Sequence, residues 1–233
     1  GGIESLVKVG DRAYSVDVGM NLLCYDLTTS QSCEGFPQQI PSSVLQPSST
    51  ATGVGGTFGT LRYLEYNGRP SLYLVVSLSA INRGVTPQVT CIDLTSPTLA
   101  ICSEFADKSY PLSVAAVSAV FDVFFEYDAS ANPSSVCLFS KNNDPERSKC
   151  VSLADPTIST GTATLAALRT HTSDNGMVNQ LTVNNRMYFG TFDTNGIYCF
   201  DFTTGAACPN FPARNGVIST KDYGVTADPN GRC

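Results

Sequence analysis

Short runs of alternating apolar and polar residues cover most of the chain, and almost every run stops at a Gly, Asn, Asp or Pro. Alternation with a period of two puts one side-chain set on each face of an extended segment, so the pattern predicts β-strands. In the last third, Gln180-Leu181-Thr182-Val183 leads through Asn184-Asn185 into Arg186-Met187-Tyr188-Phe189-Gly190-Thr191-Phe192. Asp193-Thr194-Asn195-Gly196 then supplies a turn, because Asn-Gly tolerates the positive φ angles of a tight hairpin. Ile197-Tyr198-Cys199-Phe200-Asp201-Phe202 is a third strand, and Thr203-Thr204-Gly205 turns into a short fourth that ends near Phe211-Pro212. The product is a four-stranded meander.

The same plan recurs along the chain. Ser5 to Val9, a Gly10-Asp11 turn, Arg12 to Val18, and Leu22 to Leu27 form the first unit. A second runs from Gly59 through the Asn67-Gly68 turn to Ser71–Leu78 and Gln88–Leu94. The third and most divergent has one clear strand, Val120 to Tyr127, a second from Ser134 to Ser140, and a charged hairpin tip from Lys141 to Arg147. After the fourth unit the pattern begins again at Gly216. A unit repeated at fixed order implies stacked or radially arranged modules, and the intervals suit propeller blades better than solenoid coils. The expected fold class is all-β, a β-propeller of four-stranded antiparallel blades forming one domain over 1–233. Its blades lie at about 1–40, 55–107, 112–155 and 176–212, with a further blade starting in 216–233 and the chain a fragment of a larger propeller. The Ser/Thr/Gly-rich insertions Pro41–Gly56 and Thr157–Asn175 read as connections between blades.

Each unit carries a close pair of cysteines: Cys24/Cys33, Cys91/Cys102, Cys137/Cys150 and Cys199/Cys208. Eight cysteines allow about 105 connectivities, but one local pairing rule serves all four units. The spacings fit two arms of a β-hairpin, where facing residues approach the Cα separation a disulfide needs. Metal ligation fits poorly, since there is no C-x2-C knuckle and the single histidine, His171, is remote in sequence from every pair. Cys233 is left over, and its expected partner lies outside the sequence.

The segment Tyr198-Cys199-Phe200-Asp201-Phe202-Thr203-Thr204-Gly205 resembles the core of the repeats in quinoprotein-like β-propellers, and Cys24 to Ser30 matches it with Ser30 in place of the glycine. Cys91 to Ser96 shares Asp93 and Thr95. That family docks neighbouring blades with a tryptophan shortly after the glycine. This chain has no Trp and places Cys208 close to that position. The resemblance implies a propeller fold and carries no quinone site. Asp26, Asp93 and Asp201 are expected to accept hydrogen bonds from turn amides rather than to catalyse.

Composition narrows the rest. Only 15% of residues are charged and the net charge is −6, without a Lys/Arg cluster, which excludes a phosphate-backbone partner. No apolar run reaches the ~18–20 residues of a membrane span. The cysteines imply an oxidising compartment, so the chain is expected to be extracellular, a mature product without its targeting segment. His171 sits in a polar insertion without a nucleophile elbow. Glu65, Asp122, Glu126 and Asp128 show no spacing that singles out a glycosidase pair. Asp193–Gly196 and Asn142–Asp144 are incomplete as calcium loops. Tyr14, Tyr63, Tyr66, Tyr73, Tyr127 and Tyr188 suit strand and edge packing. No catalytic, cofactor or metal residue is assigned. The expected function is a non-catalytic extracellular structural or adhesive module that meets protein or glycan partners and self-assembles. The alternative is a secreted carbohydrate-active enzyme or lectin with its site at a propeller channel mouth.

Overall fold

The structure is a computed structural model that describes residues 6–17, 19–41, 44, 57–78, 87–106, 108–112, 121–140, 148–171, 177–191 and 194–211. Two compact units divide the chain, Gly1–Ser118 and Ala119–Cys233, and each holds two sheets. Every strand pairing is antiparallel.

In the first unit, sheet 1 comprises β1 (Val7–Val9), β2 (Arg12–Val16), β3 (Asn21–Asp26), β4 (Gln31–Ser32) and β5 (Gln38–Gln39). The last two share one edge of β3: β4 pairs with Tyr25 and Asp26, and β5 with Asn21 and Leu22. Sheet 2 repeats this with β6 (Thr57–Tyr66), β7 (Arg69–Leu78), β8 (Gln88–Asp93), β9 (Ala100–Ile101) and β10 (Tyr110–Pro111). Here too the outer position on β8 is split between two short strands, and a 3-10 turn, Ser103–Phe105, lies between them. Tyr14, Leu22 and Ile40 of sheet 1 bury against Leu61, Leu72, Leu74 and Ile92 of sheet 2.

Sheet 3 of the second unit comprises β11 (Phe121–Tyr127), β12 (Pro133–Ser140), β13 (Lys149–Ser152) and β14 (Ser159–Thr160). A helix, α1 (Thr162–His171), precedes sheet 4, which comprises β15 (Met177–Val183), β16 (Arg186–Thr191), β17 (Thr194–Asp201) and β18 (Ala206–Ala207). Phe124 and Phe139 of sheet 3, Leu165 and Leu168 of α1, and Met187, Phe189 and Phe200 of sheet 4 share one core. The expected class is therefore observed: an all-β chain of four successive antiparallel sheets of the propeller-blade type, each four positions wide, with the outer position split between two short strands in sheets 1 and 2.

Three tight turns follow their residue chemistry. Gly10 (φ 56°), Asn67-Gly68 (52° and 73°) and Asn184-Asn185 (50° and 60°) all take the positive φ that two-residue hairpins require. Two expectations fail. Residues 162–171 were expected in a loop but form α1, because Leu165 and Leu168 fall three apart on one buried face and Ala163, Ala166 and Ala167 favour helix. The Thr-rich composition concealed that periodicity. Asn195-Gly196 does not turn the chain, since Thr191 pairs with Thr194 and the dipeptide lies within β17 beside an irregularity in the ladder. Glycine occurs at strand irregularities as well as in turns, so the dipeptide alone did not separate the two.

Candidate functional site

Register, rather than spacing, reveals the repeated module. Tyr14 faces Cys24, Tyr73 faces Cys91 and Tyr188 faces Cys199 across the second and third strands of sheets 1, 2 and 4. Each of those cysteines bonds the next one along: Cys24–Cys33, Cys91–Cys102 and Cys199–Cys208, with a Cα separation of 5.3 Å in all three. The second cysteine donates its N–H to the first cysteine's carbonyl at 3.0, 2.9 and 3.0 Å. A phenylalanine follows three residues later, Phe36, Phe105 or Phe211, and meets the strand tyrosine edge-on at 6.3, 6.0 and 5.8 Å. Tyrosine, disulfide and phenylalanine thus form one packed unit at the outer corner of sheets 1, 2 and 4.

Sheet 3 departs from the rule that each disulfide staples the outer hairpin. Cys137–Cys150 forms as expected in connectivity, but it joins directly opposed residues of β12 and β13, the second and third strands, at a Cα separation of 4.0 Å. Cys150 occupies the position of Cys24, Cys91 and Cys199. Cys137 stands where the other sheets have tyrosine, and Thr160 stands where they have the second cysteine. Equating Cys137 with Cys24 from their order in the sequence was therefore wrong by one strand. A backbone bond fixes the true alignment in all four sheets. Leu27, Leu94, Leu153 and Phe202 each donate an N–H to the carbonyl of the residue three before the tyrosine position (Asp11, Pro70, Ser134 and Asn185) at 2.8–3.0 Å.

The turn after the third strand is held by one acceptor. Asp26 Oδ1 accepts from the Thr28 hydroxyl and the Thr28 and Thr29 amides, and Asp93 Oδ1 from the Thr95 hydroxyl and amide. Asp201 accepts from the Thr203 amide and from Arg186 Nε at 3.0 Å. In sheet 3, Ser152 Oγ does the same work for the Ala154 and Asp155 amides. The structural role expected of the three aspartates is the one observed. The Thr28 hydroxyl, then the Thr29 and Thr28 amides, pull Asp26 from 3.8 down to about 2. Arg186 first and Thr203 after it hold Asp201 below the usual carboxylate range.

A cleft of about 450 Å³ opens between sheets 1 and 2 within the first unit. Its apolar wall comes from Tyr14, Leu22, Phe36, Ile92 and Leu94, and its polar groups are Arg12, Glu34, Gln38, Asp93, Ser96 and Thr98. The disulfide modules build it, because Glu34 to Gln38 follow Cys33 while Asp93 to Leu99 form the turn before β9. Gln38 Nε2 donates to the Pro97 carbonyl at 3.4 Å and ties the two rims together. Gln38 Oε1 is buried with no hydrogen-bond partner. Burying an amide oxygen without a donor costs about 1–3 kcal/mol, which a bound N–H or O–H would offset. Sequence reasoning missed Arg12, Glu34, Gln38, Ser96 and Thr98. Only their position beside the cysteine pairs hinted at a shared corner.

Among the described residues, the remaining candidates hold local contacts. Glu126 accepts from the Thr164 hydroxyl, and Asp128 is occupied by the Ser130 and Asn132 amides. Glu65 belongs to the first unit, and the Asp122 and His171 side chains lie outside the described residues, as do Asn142–Asp144, Asp193 and Cys233. The single cluster with metal-ligand geometry among the described residues is Glu126, Cys137 and Cys150, and its two sulfurs are consumed by the disulfide. Burial places Tyr14 and Tyr73 in the core, and it pushes the Tyr73 phenol well above its usual range.

No family model matches the chain, and no curated protein matches it. Among solved structures, it is similar to the computationally designed Ika8 protein at 10% identity and a TM-score of 0.37, over 88% of this chain and 60% of the designed one. A complex of the fission yeast SREBP–SCAP binding domains aligns at 8% identity and a TM-score of 0.42, over 91% of this chain and 49% of that one. A nidogen/laminin complex aligns at 10% identity and a TM-score of 0.35, over 88% and 78%. The chain thus spans about half to three-fifths of the first two. Its fold assignment rests on its own strand pairing.

Proposed function

We propose that this chain is a non-catalytic extracellular interaction module and that the cleft between sheets 1 and 2 is its recognition site. The observation that carries the reading is Gln38 Oε1, an unpartnered acceptor buried in a cleft with an apolar wall and a ring of polar groups. Its volume falls in the range of ligand pockets, and its lining is about evenly divided between apolar and polar groups, which suits a polar partner. Four disulfides support an oxidising location. Among the described residues no helix is long and apolar enough to cross a membrane. The partner is a polar protein segment that brings an N–H to Gln38 and pairs with Arg12, Glu34 or Asp93.

A second reading is a glycan. The Phe36 ring beside amide, carboxylate and hydroxyl groups also suits a saccharide. Screening the chain against immobilised extracellular proteins and a glycan array separates the two. Gln38→Met removes the orphan oxygen together with the long Nε2 bond to Pro97, so it is expected to change stability by less than about 1 kcal/mol and to weaken binding about tenfold. Binding that survives unchanged in both Gln38→Met and Arg12→Glu would move the site elsewhere.

A further inference from the structure

The two rims of the cleft are held by different disulfides, and the two bonds differ in accessibility. The rim from Asp93 to Leu99 lies inside the loop closed by Cys91–Cys102, whose cysteines are both at 0% exposure. The other rim, Glu34 to Gln38, lies just outside the loop closed by Cys24–Cys33. Cys33 itself lines the cleft, and at 9% it is the most exposed of the eight bonded cysteines. A thiol that enters the cleft meets Cys33, because neither cysteine of the opposite rim belongs to the lining.

The first part of the exposed rim leans on that disulfide. Phe36 donates its N–H to the Cys33 carbonyl at 3.2 Å, and Cys33 donates its own to the Cys24 carbonyl at 3.0 Å. The Phe36 ring rests edge-on against Tyr14, which faces Cys24 across the ladder. From Gln38 onward the rim is secured separately. Gln38 and Gln39 pair with β3, and Ile40 donates its N–H to the Met20 carbonyl at 3.0 Å. Glu34, Gly35 and Phe36 thus span the gap between a covalent anchor and a ladder anchor, and the covalent one borders the cleft.

We propose that Cys24–Cys33 is a redox latch on the cleft: a dithiol reductant opens it while Cys91–Cys102 stays closed, and the Glu34–Phe36 rim loosens without loss of the sheet. As a regulation of the recognition site, it rests on that reading of the cleft. A thiolate of the reductant attacks Cys33 Sγ, the bond to Cys24 breaks, and the electron pair leaves on Cys24 Sγ, which takes up a proton. The second thiol of the reductant then displaces Cys33 Sγ, which is protonated in turn, and the reductant departs as its disulfide. The chain gains two hydrogens, and the reductant loses two. Phe36 supplies apolar wall and Glu34 a polar group, so the open form presents a poorer site. By linkage, a bound partner resists opening by the same factor that opening weakens its binding.

Hydrogen exchange and peptide mapping during graded treatment of the folded chain with dithiothreitol test the latch without a partner. Cys24–Cys33 is expected to open while Cys91–Cys102 remains bonded. Exchange at the Cys33 and Phe36 amides should then rise by about tenfold or more, with Ile40 unchanged. A Cys24→Ser/Cys33→Ser chain should show the same loosened rim without reductant, and a Cys199→Ser/Cys208→Ser chain should not. Opening of Cys91–Cys102 before or together with Cys24–Cys33 overturns the latch. So does an opened Cys24–Cys33 with an unchanged Phe36 amide, or a rise that reaches Ile40 equally, since that is unfolding of the sheet. Because no readout needs a partner, a failed latch leaves cleft recognition standing, and failed recognition leaves the rim measurement intact.

Discussion

At Gly161 the backbone has φ of +68°, and an added Cβ would overlap the Cys150 sulfur and lie 2.7 Å from its Cβ. Neither neighbour can yield, since Cys150 is locked to Cys137 inside the core. Gly161→Ala is therefore expected to cost about 3 kcal/mol, a lowered urea midpoint with the slope unchanged. Gly10→Ala faces no atom within 4 Å at a similar φ, so it should cost only about 1 kcal/mol. The turn aspartates set the acid limit of stability. The Asp26 carboxyl is drawn down to about 2 in the folded chain, and those of Asp17, Asp128, Asp155 and Asp201 are also lowered. A depressed folded value stabilises the protein above the unfolded value and loses that contribution as pH falls through the folded one. Thermal midpoints should hold above about pH 4 and drop between about pH 4 and 2. Asp26→Asn should flatten part of that drop.

The elements owe their corners to local crosslinks. The disulfides close segments of 9, 11, 13 and 9 residues, so replacing either pair of sheets 1 or 4 with serines should cost about 2–3 kcal/mol by chain entropy. Accessibility orders their reduction in the folded protein. Cys91–Cys102 and Cys137–Cys150 are at 0% exposure, whereas Cys33 reaches 9% and Cys208 5%. Mass spectrometry after brief reduction and alkylation should find Cys24–Cys33 and Cys199–Cys208 opened first. Phe105, fully buried between Tyr73 and Tyr110, anchors the split edge of sheet 2, and Phe105→Ala should cost about 3–5 kcal/mol. Much at this scale was legible beforehand. Cys-Tyr-Asp-Leu and Cys-Phe-Asp-Phe announced the third strand and its turn, because the cysteine, the acceptor and the apolar positions all act within ten residues of one another. Cys150-Val151-Ser152-Leu153 was missed. Serine there replaces aspartate, and the partner cysteine lies on the preceding strand.

For the molecule as a whole, four crosslinks at about 2–3 kcal/mol each match the ~5–15 kcal/mol net stability of an ordinary domain. Expression in a reducing cytosol should therefore yield protein that fails to fold, and secretion into an oxidising compartment should rescue it. Far-UV circular dichroism of the two products checks this. The cleft belongs to this scale too. Its rims come from Glu34 to Gln38 and from Asp93 to Leu99, segments that only the packing of sheet 1 on sheet 2 brings together. No local pattern marks Gln38, because its orphan oxygen is a product of burial and not of neighbours in the chain.

Strand period, the turns at Gly10, Asn67-Gly68 and Asn184-Asn185, and cysteine pairing were decided by the sequence alone, since each depends on forces that act over a few residues: alternation of faces, positive φ, and closure of short loops. Tertiary structure decided the rest. It set which strand of sheet 3 carries the disulfide, turned residues 162–171 into a helix, and formed the cleft. Those outcomes depend on which surfaces lose their water when sheets meet, and burial is a property of distant segments together.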